Sequence, residues 1–219
     1  MTNISTFIDL TQLSPAASET DIRKVCEEAW IHQFKAICIA PAYVAYAVEM
    51  LEFCPVKIEI AAVISFPFGY STTKSKVFEA SDALRNGATE LDVVMNTSSF
   101  KSMAYLSVRE ELRQLSELTH ENNAILKVIV ETAFLDSFDL YTASEICAES
   151  GADFVVTATG FAGNNSDEET ICKIKTILPP HVRIKASGEI FTYAQASAFI
   201  DAGATRIGTS HGISIVSEI

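Results

Sequence analysis

Short apolar runs and amphipathic stretches alternate along the whole 219-residue chain, and this alternation constrains the fold more than any other feature. The apolar runs are rich in Val and Ile and show little polar alternation, as expected of strands covered on both faces. We predict eight strands, at residues 7–11, 35–40, 57–65, 90–96, 125–131, 154–159, 183–187 and 206–209. We predict helices between them, at residues 19–30, 42–53, 73–86, 103–122, 137–150, 167–178 and 193–202.

Helix-capping signals support these boundaries. Ser166 and Thr192 are predicted to begin the last two helices, because a hydroxyl can accept a hydrogen bond from a free N–H group of the first turn. A Gly-Ala pair precedes three of the strands, where glycine suits the left-handed residue that ends a helix. These pairs are at residues 87–88, 151–152 and 203–204. The repeated order of helix, Gly-Ala and strand indicates repeated βα units.

Eight such units predict an α/β fold, a single-domain (β/α)8 TIM barrel that spans residues 1–219. An open doubly wound sheet is the alternative. It is less favoured because no G-x-G-x-x-G motif follows the first strand. The chain shows no linker, low-complexity segment or second domain.

Composition excludes several classes of function. The net charge of −12 disfavours nucleic acid and anionic membranes as partners, since both bind basic surfaces. No apolar run approaches the ~18 residues that a membrane span requires, and the N-terminus does not resemble a signal peptide. The five cysteines are scattered without a C-x-x-C motif, which indicates reduced thiols. We therefore expect a cytoplasmic protein.

Charged residues inside otherwise apolar strands are the first candidates for chemistry: Asp9, Asp92, Lys127, Glu131 and Lys185. An ionised group inside a barrel is costly unless it is paired. One lysine and one aspartate could form an ordinary structural ion pair. Two lysines and several carboxylates in one lumen favour a reactive site, because each lysine could lower the pKa of the other.

Residues 151–160, GADFVVTATG, resemble the strand and phosphate-binding loop of deoxyribose-phosphate aldolases. Similar segments recur in the family's order along nearly the whole chain. They are IDLTQL at 8–13, AICIAP at 36–41, FPFG at 66–69, ELDVV at 90–94, LKVIVET at 126–132, IKASG at 184–188 and GATRIGTS at 203–210.

The resemblance implies a lyase that cleaves 2-deoxyribose 5-phosphate to glyceraldehyde 3-phosphate and acetaldehyde through a lysine imine, without a metal or cofactor. It implies that Asp92 relays protons, that Lys185 perturbs the nucleophile and that Lys127 holds the acid–base network. Cys38 matches a pocket cysteine, although a small buried apolar residue is the alternative interpretation. A small phosphorylated or carbonyl metabolite is the implied ligand, and a homodimer or higher homo-oligomer is the implied assembly.

The resemblance also implies a phosphate site, in which backbone N–H groups and a hydroxyl surround the anion. Its residues are Gly160, Gly188, Gly208 and Ser210, with Thr159 beside them in the substrate site. No metal site is expected, because the four histidines are dispersed and lack ligand spacing.

Five positions depart from the family pattern on two sides of the same pocket. Val156 stands where the family has its imine-forming lysine, and Ala158 replaces a serine. Glu189 replaces a glycine and Phe191 an arginine, which removes a counter-charge and adds a like charge beside phosphate. His211 replaces a second serine, and it could donate to phosphate or be an ordinary surface residue.

Three hypotheses follow. In the first, the aldolase reaction survives with Lys185, or less favourably Lys127, as a relocated nucleophile. In the second, the protein is a catalytically silent relative that binds a small polar metabolite. In the third, Asp92 and Lys185 enolise a carbonyl compound by acid–base catalysis without an imine.

Overall fold

Eight parallel strands close into one barrel in a computed structural model that describes residues 3–163 and 167–218. The strands, numbered β1 to β8 in chain order, are Ile8–Gln12, Ala36–Ile39, Glu59–Ile64, Glu90–Val94, Ile125–Ile129, Phe154–Val156, Arg183–Ser187 and Arg206–Thr209. Each strand pairs with the next, and β8 pairs with β1. The prediction of a (β/α)8 barrel is confirmed.

Nine α-helices are present in the described part of the chain. Numbered α1 to α9, they are Glu19–His32, Val44–Leu51, Thr73–Arg85, Thr97–Lys101, Tyr105–Glu121, Ser137–Glu149, Glu168–Ile177, Tyr193–Ala202 and Gly212–Ser217. The seven predicted helices are confirmed with their ends moved by a few residues. Helices α4 and α9 were not predicted, because five or six residues are too few to show a helical period. Short 3-10 turns cover Ile4–Phe7, Pro41–Tyr43 and Thr132–Phe134.

The predicted caps are found where the structure describes them. Thr192 begins α8 with a reciprocal capping box to Gln195. The glycines that follow α3, α6 and α8 have φ values of 105°, 86° and 124°, as predicted for left-handed helix ends. Ser166 lies outside the described residues. Asp167, which was predicted to lie within the helix, caps α7 instead by accepting a hydrogen bond from the Thr170 N–H group.

Strand β6 is three residues shorter than predicted, since it ends at Val156. Beyond Val156, the Thr157 backbone still bonds to both neighbouring segments, and side chains add further contacts. The Thr157 hydroxyl accepts from the Ser187 N–H group and donates to the Ser187 carbonyl. The Thr159 N–H group donates to the Glu131 carboxylate at 3.1 Å. The chain leaves the barrel here and forms the loop above it.

The strand pleat divides the core into two layers. Val155 faces outwards and belongs to the large cluster between the barrel and its helices. Val156, its neighbour, faces inwards and contacts Val94 and Ile129 in a small separate cluster. Inward-facing positions of the strands therefore meet inside the barrel.

Within residues 3–163 and 167–218, no helix is both long and apolar enough to span a membrane.

Candidate active site

Six charged side chains meet inside the barrel, and each is at most 4% exposed. Three are carboxylates and three are cations, so their formal charges cancel. They are Asp9 on β1, Glu90 and Asp92 on β4, Lys127 on β5, Lys185 on β7 and Arg206 on β8. We call these residues the charged cluster. Complete pairing is what makes so many buried charges tolerable.

Lys185 is held between two carboxylates of the charged cluster. Its Nζ lies 2.6 Å from Asp92 Oδ2 and 2.8 Å from Asp9 Oδ2. Gly208 on the neighbouring strand leaves space for its stem, since a Cβ there would lie 2.8 Å from Lys185 Cε. The backbone of β8 and two acidic side chains thus fix the position of this ammonium group.

Lys127 contacts all three carboxylates. Its Nζ lies 2.6 Å from Glu90 Oε2, 2.8 Å from Asp92 Oδ1 and 3.1 Å from Asp9 Oδ2. Asp92 therefore bridges the two lysines that the sequence singled out. The structure brings together the three residues predicted to be catalytic.

Glu90 and Arg206 complete the cluster, and sequence reasoning missed both. Arg206 Nε lies 2.5 Å from Asp9 Oδ1, and its Nη2 lies 2.8 Å from Glu90 Oε2. Each is the first residue of its strand, where a charged residue usually faces solvent. The charge balance was an available signal. Asp9 and Asp92 already balance Lys127 and Lys185, so a third cation in β8, Arg206, calls for a third carboxylate, which Glu90 supplies.

Burial and pairing shift the pKa values of the cluster. Burial disfavours the ammonium of Lys185, but the charges of Asp9 and Asp92 outweigh it and raise the pKa of Lys185 well above its usual value. The pKa of Lys127 is raised in the same way. The charge of Lys185 acts to lower the pKa of Lys127, as expected, but Asp9, Asp92 and Glu90 outweigh this repulsion, so the expected lysine of lowered pKa is not found. Both lysines are ammonium ions at neutral pH, and an ammonium ion has no lone pair to attack a carbonyl.

The pKa of the Asp92 carboxyl group shifts in the opposite direction. Burial opposes ionisation of Asp92, but Lys127 and Lys185 hold the pKa of Asp92 below its usual value. Cys38 lies against this carboxylate, with its Sγ 3.6 Å from Asp92 Oδ2. Burial, followed by the charge of Asp92, raises the pKa of the Cys38 thiol to about 12. Cys38 is therefore a buried thiol that donates to Asp92 and is not a nucleophile.

Val156, where the sequence resemblance predicts the family's imine-forming lysine, lies in register with Lys185 on β7. It is 1% exposed and packs against Val94, Ile129 and Phe66. Ala158 is also buried. An apolar patch therefore fills the place where a nucleophile would stand beside the charged cluster.

A cavity of about 400 Å³ opens above this layer, at the carboxyl ends of β1, β6, β7 and β8. Five of the six residues predicted to bind the substrate or its phosphate line it, namely Thr159, Gly160, Gly188, Gly208 and Ser210, and Cys38 does not. Asp92, Lys127 and Lys185 are at most 2% exposed, and the Lys185 side chain lies against Gly208, which lines the cavity. We call this cavity the mouth.

Three of the residues predicted to depart from the family pattern line the mouth. The rings of Phe191 and His211 lie edge to face with their centroids 4.7 Å apart, and both line the mouth with Glu189. The residues at the former arginine and serine positions thus contact each other. His211 is exposed, yet its position makes it part of the cavity wall rather than an unrelated surface residue.

Glu131 does not join the charged cluster, contrary to the expectation that the strand carboxylates share one lumen. It follows β5 in a left-handed conformation, with φ 55° and ψ 72°, which turns its side chain towards the loop after β6. Its Oε2 accepts from the Thr159 N–H and hydroxyl groups.

Among residues 3–163 and 167–218, no group of three or more His, Cys, Asp or Glu side chains could hold a metal ion.

This architecture has a counterpart among known proteins. The model of the family described as DeoC/LacD family aldolase matches residues 5–217. The chain belongs to the DeoC/LacD aldolase family.

Curated relatives of this DeoC/LacD aldolase cover nearly its full length. It is 42% identical over 214 residues to the deoxyribose-phosphate aldolase of Thermococcus gammatolerans, covering 98% of this chain and 95% of that protein. It is 39% identical over 215 residues to the enzyme of the same name from Halalkalibacterium halodurans, with 98% and 95% covered.

Solved structures give the same result for the fold. An aldolase called QR15 superposes with a TM-score of 0.93 at 40% identity, covering 100% of this chain and 96% of that one. A deoxyribose phosphate aldolase from Aeropyrum pernix, described as tetrameric, gives a TM-score of 0.91 at 31% identity, covering 98% and 90%. The resemblance found in the sequence is confirmed at the level of the family.

Proposed function

We propose that this protein is a deoxyribose-phosphate aldolase-like lyase that binds a small hydroxylated aldehyde or ketone in the mouth and forms no imine with it. The observation that carries the proposal is the pairing of Val156 with Lys185. The family's nucleophile is replaced by a buried valine, while the neighbouring lysine is held as an ammonium ion by two carboxylates.

Relocation of the nucleophile to Lys185 or Lys127 is disfavoured on two grounds. Both lysines are fully paired within the charged cluster, and both have raised pKa values. Forming an imine would require one of them to lose a proton and leave a carboxylate unpaired in the barrel interior, which is strongly unfavourable.

Acid–base chemistry is what the site retains. Lys185 can stabilise negative charge on a carbonyl oxygen, and Asp92 is placed 2.6 Å from it to exchange protons. The reaction that the relatives' names imply, cleavage of 2-deoxyribose 5-phosphate, would then proceed slowly. The low pKa of Asp92 makes it a weak base, and no covalent electron sink is present. Enolisation of a bound carbonyl compound needs only the same two groups and is the second candidate activity.

The mouth favours a ligand with little negative charge. Among the described residues that line it, Glu189 is the ionised side chain, and Phe191 takes the place of an arginine. A phosphate dianion would lose a counter-charge and meet a carboxylate of like charge. An unphosphorylated or weakly anionic ligand therefore fits better than a sugar phosphate.

Titration with matched sugars tests this proposal. Calorimetric titration with 2-deoxyribose and with 2-deoxyribose 5-phosphate should give equal or tighter binding for the unphosphorylated sugar. Markedly tighter binding of the phosphate, or absence of binding by either sugar, would overturn the proposed ligand class.

The family and the net charge support proposals for the cellular location, assembly and partners of the protein. We propose a cytoplasmic enzyme that assembles as a homodimer or larger homo-oligomer, as the tetrameric description of the Aeropyrum pernix relative supports. The net charge of −12 supports a role without nucleic acid or membrane partners.

A further inference from the structure

A second, smaller cavity of about 80 Å³ adjoins the mouth. Its walls include Phe68, Phe134 and Phe161 together with Thr97, Glu131 and Thr159. Thr159 and Phe161 also line the mouth, so the two cavities share a wall. The volume exceeds the roughly 30 Å³ that one water molecule occupies in the liquid, which leaves room for a small polar group.

Glu131 gives this cavity an unsatisfied negative charge. The residue is 3% exposed, and its Oε2 accepts both hydrogen bonds from Thr159. Its other oxygen, Oε1, is buried and has no hydrogen-bond partner among residues 3–163 and 167–218. A buried carboxylate oxygen without a donor is unfavourable unless a bound group supplies one.

No cation of the described chain is available to compensate Glu131. The cations of the charged cluster are paired with Asp9, Glu90 and Asp92. Lys101 approaches Phe134, donating to its carbonyl at 3.2 Å, but its Nζ lies 2.6 Å from Asp139. None of the described residues supplies a donor to Glu131 Oε1, and a donor from a bound molecule would complete the contacts of this oxygen.

The walls of the cavity suit a cation more than a neutral donor. Three phenylalanine rings line it, and aromatic faces attract an ammonium group. Two neighbouring rings support this wall, because Phe161 packs edge-on against Phe66 and Phe68 stacks on Tyr70, both at 5.4 Å between centroids. A buried carboxylate among aromatic rings is the chemistry that recognises protonated amines.

We propose that this cavity is a subsite for a protonated amino group of the ligand, recognised by Glu131 and by the rings of Phe68, Phe134 and Phe161. The inference rests on the proposed function, since it assigns an amine to the carbonyl compound bound in the mouth. It agrees with the loss of the arginine at Phe191 and the presence of Glu189, which make the mouth less suited to an anion.

Amine titration of the intact protein tests the subsite directly. The probe is ethanolammonium chloride, followed by amide NMR signals of Thr97, Thr159 and Ala162. Ethylene glycol with sodium chloride at the same ionic strength is the uncharged control. We expect saturable shifts with the amine and none with the glycol. Equal shifts with both would overturn the proposal.

Two variants separate recognition from folding. Glu131→Gln keeps the shape of the side chain and should weaken amine binding at least about 10-fold, as expected for loss of a charged partner. Glu121→Gln removes a carboxylate from the exposed end of α5 and should leave binding unchanged. Unchanged amine affinity in Glu131→Gln would overturn the proposal.

Phe134→Leu provides a variant that leaves the carboxylate and its Thr159 contacts in place. It should weaken binding of the amine about three-fold, because one aromatic face is lost. Amine affinity equal to that of the wild type would count against the aromatic part of the site. Sugar binding without amine binding would reject the subsite and leave the proposed function standing. Amine binding without sugar binding would support the subsite and reject the proposed function.

Discussion

Val156 lies opposite Lys185 in the parallel register of β6 and β7, and both side chains face the interior of the barrel. A hydrophobic residue thus stands beside an ammonium ion that is already paired with two carboxylates. The charged residues predicted from the family resemblance thus lie together, and a valine stands where that resemblance predicts the residue that forms a covalent bond.

Val156→Lys is expected to restore a nucleophile. The new lysine would adjoin the Lys185 ammonium, whose like charge lowers its pKa and frees its lone pair. Incubation with acetaldehyde and borohydride should then give a stable adduct that peptide mapping places at residue 156. Val156→Met, similar in length and without an amine, is the control and should give none. Failure of a folded Val156→Lys to form an adduct would mean that the site has lost more than this residue.

Asp9→Asn is expected to lower the free energy of unfolding by about 3–5 kcal/mol, the usual cost of removing one partner from a buried ion network. Asp9 contacts Lys127, Lys185 and Arg206, so its loss leaves buried positive charge uncompensated. Urea denaturation measures the change. Asp201→Asn, at an exposed position on α8, should change the free energy by less than about 0.5 kcal/mol. Equal effects of the two substitutions would show that the charged cluster does not hold the barrel together.

Stability should fall in acid because the pKa values of Asp9 and Asp92 are lower in the folded than in the unfolded protein. Their contribution is fully present above the unfolded pKa of about 3.9 and is lost as pH falls towards the folded values. Urea denaturation between pH 7 and pH 3 should give a declining free energy of unfolding below about pH 5. Asp9→Asn should show a shallower decline than wild type, and parallel profiles would contradict this origin of the acid sensitivity.

The double substitution Glu189→Gly with Phe191→Arg should improve binding of 2-deoxyribose 5-phosphate about 10-fold, as one charge-assisted contact predicts. It removes a carboxylate from the mouth and supplies a guanidinium where the Phe191 ring now contacts His211. Calorimetric titration measures the affinity. Glu189→Gly with Phe191→Met removes the same groups without adding charge. Similar affinities for the two double variants would contradict the role assigned to the missing arginine.

The sequence predicted the barrel well because strand pattern and caps are local signals. Strands β7 and β8 have the predicted ends, and Thr192 begins α8 as expected. Strand β6 is shorter than its predicted run, and the segment beyond it is held by the Thr157 side chain and by the bond from the Thr159 N–H group to Glu131. Competition between a strand ladder and side-chain hydrogen bonds depends on neighbouring strands and is not visible in one segment.

The sequence predicted which residues form the site better than it predicted their pKa values. Asp92, Lys127 and Lys185 meet as expected, but Asp9 and Asp92 raise the pKa of both lysines, and Glu90, which the sequence did not single out, adds to this effect for Lys127. The Phe191–His211 contact joins loops after different strands, so no local pattern predicts it. Glu131 was predicted to lie in the lumen because it is a charged residue within an apolar strand run, whereas its left-handed backbone turns it towards Thr159.

The most direct test of the central claim is intact-mass spectrometry of the unaltered protein after incubation with 2-deoxyribose 5-phosphate or acetaldehyde and borohydride. A deoxyribose-phosphate aldolase with its lysine in place serves as the positive control. The account predicts a labelled control and an unmodified protein. A stoichiometric adduct mapped to Lys185 or Lys127 would contradict it, because it would show that a lysine of the charged cluster can release its proton and act as the nucleophile.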